Sequence, residues 1–157
     1  KYFENSKIFC IDINISKFKY KSKNIEVFGA DIKNKSQILK ILAKIFFKNN
    51  FNQFDIIIDD GSHKLSDILS SLNFFFKYLK VNGFYIIEDY KFPNSLKNYN
   101  DVNDILVDEL LEKLNKKHFF SSNFFNTDDQ KYLFSSIKEI LTFKGNSEIS
   151  DICFIKK

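Results

Sequence analysis

Phe54-Asp-Ile-Ile-Ile-Asp-Asp-Gly-Ser-His63, answered by Gly83-Phe-Tyr-Ile-Ile-Glu-Asp89, is the pair of segments whose reading decides the fold. Each is a short apolar run that stops abruptly in acid. A continuous run of Ile, Val and Phe with polar residues only at one end reads as a strand buried on both faces. Lying side by side and parallel, two such strands bring their paired carboxylates to the same edge of a sheet. In open α/β sheets, ligands bind outside that carboxyl edge. Asp59, Asp60, Glu88 and Asp89, with His63 close behind, are therefore the candidate site.

The rest of the chain supplies the elements such a sheet needs. Lys7 to Ile13 reads as a strand ending at Asp12. Ile25 to Phe28 reads as a second, closed by Gly29-Ala30-Asp31. Ser36 can cap a helix reaching Asn49, because Ile38, Leu39, Ile41, Leu42, Ile45 and Phe46 form one apolar stripe. After His63, Ser66 can cap a helix with Ile68, Leu69, Leu72, Phe75, Phe76 and Leu79 inward, stopped at Asn82-Gly83 by a left-handed residue. Tyr90 to Asn100 is polar, holds the sole proline, and reads as a loop over the site. An amphipathic helix is expected from Asn100 or Asp101 through Val102, Ile105, Leu106, Leu110 and Leu114, with acids first and lysines last to match the helix dipole. Phe119 to Ser136 reads as irregular and aromatic. Ile137 to Lys144 and Asp151 to Lys156 read as a closing hairpin turned at Gly145-Asn146-Ser147-Glu148. The expected architecture is α/β: a Rossmann-like, mostly parallel sheet flanked by helices, with a C-terminal antiparallel hairpin and one domain over residues 1–157.

Bulk composition narrows the function classes. The chain has 157 residues, 44% hydrophobic and 28% charged, as an ordinary globular domain does. No apolar run approaches the ~20 residues that span a bilayer, and no signal peptide opens the sequence. The formal net charge is +4, carried entirely by Lys, with no Arg. The lysines are spread along the chain rather than clustered, so neither nucleic acid nor a membrane is the expected partner. Cys10 and Cys153 fall inside apparent strands without metal-ligand spacing, which fits a reducing, cytoplasmic compartment.

Four acids and a histidine at strand ends suit a hard divalent cation. Mg²⁺ is held by one or two carboxylates and leaves positions for substrate oxygens. Without a cation, four close carboxylates repel and some stay protonated. His63, three residues beyond Asp60, is near enough to take a proton from a metal-acidified hydroxyl, and its reference pKa near 6.5 suits that task. An exposed loop histidine with no task is the plain alternative, and the acid cluster weighs against it. His118 reads as a C-terminal dipole partner of its helix. Asp12 and Asp31 end two strands where an acid can accept ribose hydroxyls or an adenine amine, and an ordinary turn residue fits them equally well.

Together, Asp55-Ile-Ile-Ile-Asp-Asp-Gly-Ser-His63 and Asn82-Gly-Phe-Tyr-Ile-Ile-Glu-Asp89 resemble the class I S-adenosylmethionine-dependent methyltransferases. The nearest likeness is to the metal-dependent sugar O-methyltransferases of macrolide biosynthesis, the macrocin and mycinamicin type, and their cephalosporin-hydroxylase-like relatives. The strands Lys7 to Ile13 and Ser150 to Ile155 extend that likeness over nearly the whole chain. The resemblance implies that Asp60, Glu88 and Asp89 hold Mg²⁺ and that His63 is the general base. It implies that Asp12 binds the ribose of S-adenosylmethionine, that Asp31 lies near the adenine and that Asp59 faces the methionine end. The implied acceptor is a hydroxyl of a sugar or other polyhydroxylated small molecule. In one respect the chain departs from the pattern. The family's first strand and Gly-rich loop precede the strand at Lys7, whereas the four glycines here form no G-x-G. The chain carries no Met and opens at Lys1-Tyr-Phe-Glu-Asn as if on a helix tail, so an N-terminally truncated domain lacking its first strand is expected.

Two other readings stay open. One is a non-catalytic, Rossmann-like binding or interaction domain, a remnant that keeps the acid edge without turnover. The other, a metal-dependent hydrolase or phosphoryl-transfer domain, would want a phosphate cradle, and the sequence holds neither a P-loop nor Arg. The segments Tyr90 to Asn100 and Phe119 to Ser136 are expected to shape the acceptor pocket, and their aromatic residues suit a sugar face, a lid or a homo-oligomer contact alike.

Overall fold

The computed structural model describes residues 5–19, 22–147 and 149–157. The expected helix tail at residues 1–4 and Glu148 of the expected turn lie outside them. The chain divides into two compact units, Lys1–Phe51 and Asn52–Lys157.

In the first unit, β1 (Ile8–Asp12) and β2 (Ile25–Gly29) pair in parallel, with Asp12 opposite Gly29. Helix α1 (Lys35–Asn49) follows and buries Ile38, Leu42 and Ile45. Its cap is Asn34, not Ser36: the Asn34 side chain accepts from the Gln37 amide at 3.1 Å. Both residues are good caps, and the one that actually precedes the first turn takes the role. Asn50 ends the helix in the left-handed region, φ 54°.

The second unit is built on a four-stranded sheet in the order β3-β4-β6-β5. The strands are β3 (Phe54–Asp59), β4 (Leu79–Ile87), β5 (Glu139–Phe143) and β6 (Ile152–Lys156). The β3 and β4 strands are parallel, while β6 runs antiparallel to both β4 and β5, as the expected closing hairpin requires. The helices of this unit are α2 (Leu65–Phe75), the single turn α3 (Phe92–Ser95), α4 (Val107–Lys116) and α5 (Thr127–Ser136).

Paired positions share a face, so the register sorts the sheet into two sides. Ile57, Tyr85, Cys153 and Ile155 share one side, where Tyr85, Cys153 and Ile155 are wholly buried along with Leu69, Leu72, Leu110 and Leu114 of the helices. Ile56, Ile58, Phe84 and Ile86 share the other. Ile56 and Ile58 are 42% and 58% exposed, so β3 is not buried on both faces as its unbroken apolar run predicts. An apolar run shows that a strand tolerates burial on both sides; it cannot supply the layer that covers the second.

Four further expectations are corrected. Asn82-Gly83 does not stop α2, which ends at Phe75 and passes through a short 3-10 turn (Phe76–Tyr78) into β4. Asn82 is left-handed (φ 66°), but it lies where the β3–β4 register slips, within the strand. A Cβ on Gly83 would meet the Asp55 carbonyl oxygen at 2.7 Å, so the close strand crossing demands glycine. Helix α4 begins at Val107 rather than near Asp101, and its first-turn acids are Asp108 and Glu109. Ser66 is not a cap; α2 has no side-chain cap within its own segment. The aromatic segment is partly helical: α5 opens with a capping box in which Asn126 and Asp129 satisfy each other's backbone amides.

Lys157 closes the unit. Its buried ammonium donates to the carbonyls of Phe76 (3.3 Å), Lys77 (3.2 Å) and Leu79 (2.8 Å), satisfying the turn between α2 and β4.

Candidate functional site

The register Asp59 opposite Ile87 sets the ends of β3 and β4 side by side, and the Glu88 amide donates to the Asp59 carbonyl at 3.0 Å. The acid ends of the two apolar runs therefore meet at one sheet edge. His63 follows in the β3–α2 loop with its Nε2 3.8 Å from Asp60 Oδ1, and its side chain is largely buried while that of Asp60 is exposed. Both His63 (φ 56°) and Asp89 (φ 51°) adopt left-handed backbone, a conformation that surrounding structure must hold in place.

Burial first, then the like charges of Asp60 and Asp89, pushes the Glu88 carboxyl above its usual range, while His63 pulls it the other way. The same burial pushes Asp59 up to about 6, opposed by hydrogen bonding to Ser71 and Tyr85 and by His63. Tyr85 donates its hydroxyl to Asp59 Oδ2 at 3.3 Å and lies 2.8 Å from Ser71 Oγ. Desolvation and the Asp59 charge raise the Tyr85 pKa well above the ordinary value, so its phenol stays protonated and able to donate.

Asp60, Glu88 and Asp89 are hard oxygen donors of the kind Mg²⁺ takes. They lie within electrostatic reach of one another, yet among the described residues no three His, Cys, Asp or Glu side chains converge to metal-binding distance. In the first unit Asp12 is the last residue of β1, and Asp31 follows two residues after the end of β2. Each also makes a local turn, Asp12 accepting from the Asn14 amide at 2.7 Å and Asp31 from the Lys33 amide at 2.9 Å. Both free cysteines are poor nucleophiles, since burial raises the Cys10 pKa and pushes Cys153 up to about 12. The His118 backbone amide bonds the Lys113 carbonyl at 2.9 Å, just past the end of α4.

Several residues here carry no local sequence signal. Tyr85 and Ser71 look like ordinary core and helix positions. Phe92 lies in the segment after β4 and stacks on the His63 imidazole, centroids 4.9 Å apart. A polar cleft of about 310 Å³ opens among Tyr90, Lys91, Asp108, Glu112, Asn115 and Thr142. Thr142 pairs with Cys153, which pairs with Ile87, so the cleft lies at the carboxyl edge of the sheet, two strands across from β4. Lys91 is pinned there by the buried Asp151 carboxylate at 2.7 Å. Only the start of the Tyr90–Asn100 segment reaches this cleft, and Phe119–Ser136 does not line it.

This architecture is a Rossmann-like α/β fold, and solved structures of a methyltransferase share it. One is described as MycE methyltransferase from the mycinamycin biosynthetic pathway in complex with Mg, SAH and mycinamycin VI; it matches with TM-score 0.70 and 21% identity. The match covers 96% of this chain and 36% of that one. Two further crystal forms of MycE with Mg and SAH match at TM-scores 0.67 and 0.63, with 20% and 19% identity over 96% of this chain. At such identity the likeness is one of fold, and the chain spans little more than a third of the length of those structures. No protein-family profile and no curated protein sequence matches the chain.

Proposed function

We propose that residues 1–157 form one Rossmann-like domain of an S-adenosylmethionine- and Mg²⁺-dependent O-methyltransferase acting on a hydroxyl of a sugar or other polyhydroxylated small molecule. The observation that carries this reading is that Asp60, Glu88 and Asp89, with His63 beside Asp60, follow directly on the adjoining ends of two parallel strands and lie within electrostatic reach of one another. The reading assigns Asp60, Glu88 and Asp89 to Mg²⁺. It assigns Asp12 to the ribose, Asp31 to the adenine and Asp59 to the methionine end of the cofactor. When bound, the cofactor supplies an electrophilic methyl group and Mg²⁺ acidifies the acceptor hydroxyl. His63 accepts the acceptor's proton at Nε2, the nitrogen that faces Asp60. Tyr85 holds Asp59 in place, and the half-buried floor around Glu88 strengthens each electrostatic contact. The polar cleft of about 310 Å³ beside Lys91 is the candidate room for the remainder of a hydroxylated acceptor.

Two free thiols fit a reducing, cytoplasmic setting, and among the described residues no helix is long and apolar enough to cross a membrane. The runner-up is a binding domain without turnover, a remnant that keeps the acid edge.

Calorimetric titration of S-adenosylmethionine, with and without Mg²⁺, tests the proposal on the wild type and on Asp60→Ala. The expected result is saturable cofactor binding in both proteins, with a separate Mg²⁺ heat and methyl transfer present only in the wild type. Absence of any cofactor heat from the wild type would leave the runner-up standing, and an unchanged Mg²⁺ heat in Asp60→Ala would remove that residue from the metal site.

A further inference from the structure

The segment that follows β4 returns across the start of α2: its near end touches the His63 ring, and its far end bonds the residues just after His63. At its far end, the Tyr99 carbonyl accepts from the Leu65 amide at 2.8 Å. The Asp101 carboxylate accepts from the Ser66 amide at 3.0 Å and from Ser66 Oγ at 2.6 Å. Helix α2 lacks a side-chain cap of its own, so Asp101, 35 residues downstream of Ser66, satisfies a first-turn amide that would otherwise be orphaned. Leu65 and Ser66 lie two and three residues after His63, and these bonds therefore fix the backbone on which the histidine is carried.

At its near end the same segment holds the ring. Phe92 lies against the imidazole with centroids 4.9 Å apart and planes inclined by 32°. Tyr99 backs Phe92 edge-on at 5.0 Å and 72°. Buried Pro93 opens the α3 turn, and the Leu96 amide closes it onto the Phe92 carbonyl at 2.9 Å. Ring contact and backbone anchor thus belong to one short, internally bonded piece of chain. Left-handed backbone at a histidine, φ 56° here, is strained and persists only where neighbours over-determine it.

We propose that Phe92 and Asp101 are positioning residues for His63: Asp101 sets its backbone through the first turn of α2, and Phe92 sets the direction of its ring. The proposal rests on the reading of His63 as the general base for its consequence in turnover, but not for its structural test.

The chain has two histidines, so ¹³C-histidine labelling yields one Cε1–H resonance each for His63 and His118. His63→Gln assigns them by the peak it removes. In Phe92→Leu, which keeps apolar bulk and loses the ring, the His63 resonance moves as the ring current is lost, while that of His118 stays in place. In Asp101→Ala it moves or broadens as the first turn of α2 loosens; Ser66→Ala, which removes one of the two bonds, gives a smaller change in the same direction. Phe92→Tyr restores the wild-type position. Turnover in Phe92→Leu falls roughly tenfold in kcat with little change in KM, the signature of misorientation rather than lost binding. A His63 resonance unmoved in both Phe92→Leu and Ser66→Ala, each with His118 at its native position, would overturn the proposal. If His63→Gln keeps full turnover, the general-base reading fails, and the positioning claim is then decided by the spectra alone.

Discussion

Burial at the end of β3 carries the Asp59 carboxyl from an ordinary 3.8 to about 6, against the opposing hydrogen bonds of Ser71 and Tyr85. A carboxyl whose pKa is higher folded than unfolded binds more protons in the native state. Its contribution to stability is therefore full below pH 4 and is lost as pH rises through 6. Asp59→Asn removes that titration, so in EDTA the variant should gain on the wild type between pH 4.5 and pH 7.5 by about 1–3 kcal/mol, read as a difference in Tm. A difference in Tm that does not vary with pH would mean that the Asp59 charge is well solvated in the native state. At this scale the positions of Asp59, Asp60, Glu88 and Asp89 at strand ends were legible in the sequence, because an apolar run that stops in acid marks the end of a strand. Tyr85, Phe92 and Asp101 were not. Each acts through a partner between 14 and 35 residues away, and a hydroxyl, a ring and a carboxylate in loops or core look alike until the chain has folded.

Among the elements, the helices and strands with a clean apolar period were read correctly, and the errors cluster at their ends. Asn82-Gly83 has the composition of a helix stop but serves a slip in strand register, where the same left-handed geometry is needed. Asp101 and Asp104 have the composition of a helix start, yet Asp101 caps α2 and Asp104 accepts from the Asn123 amide at 2.7 Å. Helix α5 was hidden because its own buried residues are only Gln130 and Leu133, too few for a visible stripe. The Gly83 crossing gives a sharp prediction for β4. A Cβ there meets backbone, which cannot rotate away, so Gly83→Ala should destabilise the protein by about 1–3 kcal/mol. Urea unfolding checks this, with a lowered midpoint and an unchanged slope. A midpoint equal to wild type would mean that β3 and β4 separate at this point without penalty.

For the molecule as a whole, the strand order β3-β4-β6-β5 puts the last strand in the interior of the sheet. Residues 151–157 contribute Cys153 and Ile155 to the core, the Asp151 partner of Lys91, and the Lys157 ammonium that closes the α2–β4 turn. Deleting them leaves β5 without a neighbour and β4 with one bare flank. Such a chain should lose the cooperative thermal transition of the second unit, followed by near-ultraviolet circular dichroism on residues 52–150 beside residues 52–157. A cooperative transition surviving in the shortened unit would place its core elsewhere. The terminal hairpin was legible from its alternating apolar residues and Gly145 turn, but its insertion beside β4 was not, since pairing across such sequence distance has no local mark.

That interior position of β6 sets a timetable for the ribosome. Synthesis passes from Ile87 to Ile152 in roughly 3–13 s at ~5–20 residues per second. Throughout that interval β4 has been made while its partner on one side does not yet exist, and its apolar Phe84, Tyr85, Ile86 and Ile87 wait beside an unfilled ladder. The sheet of the second unit is therefore completed only once its final strand has been made.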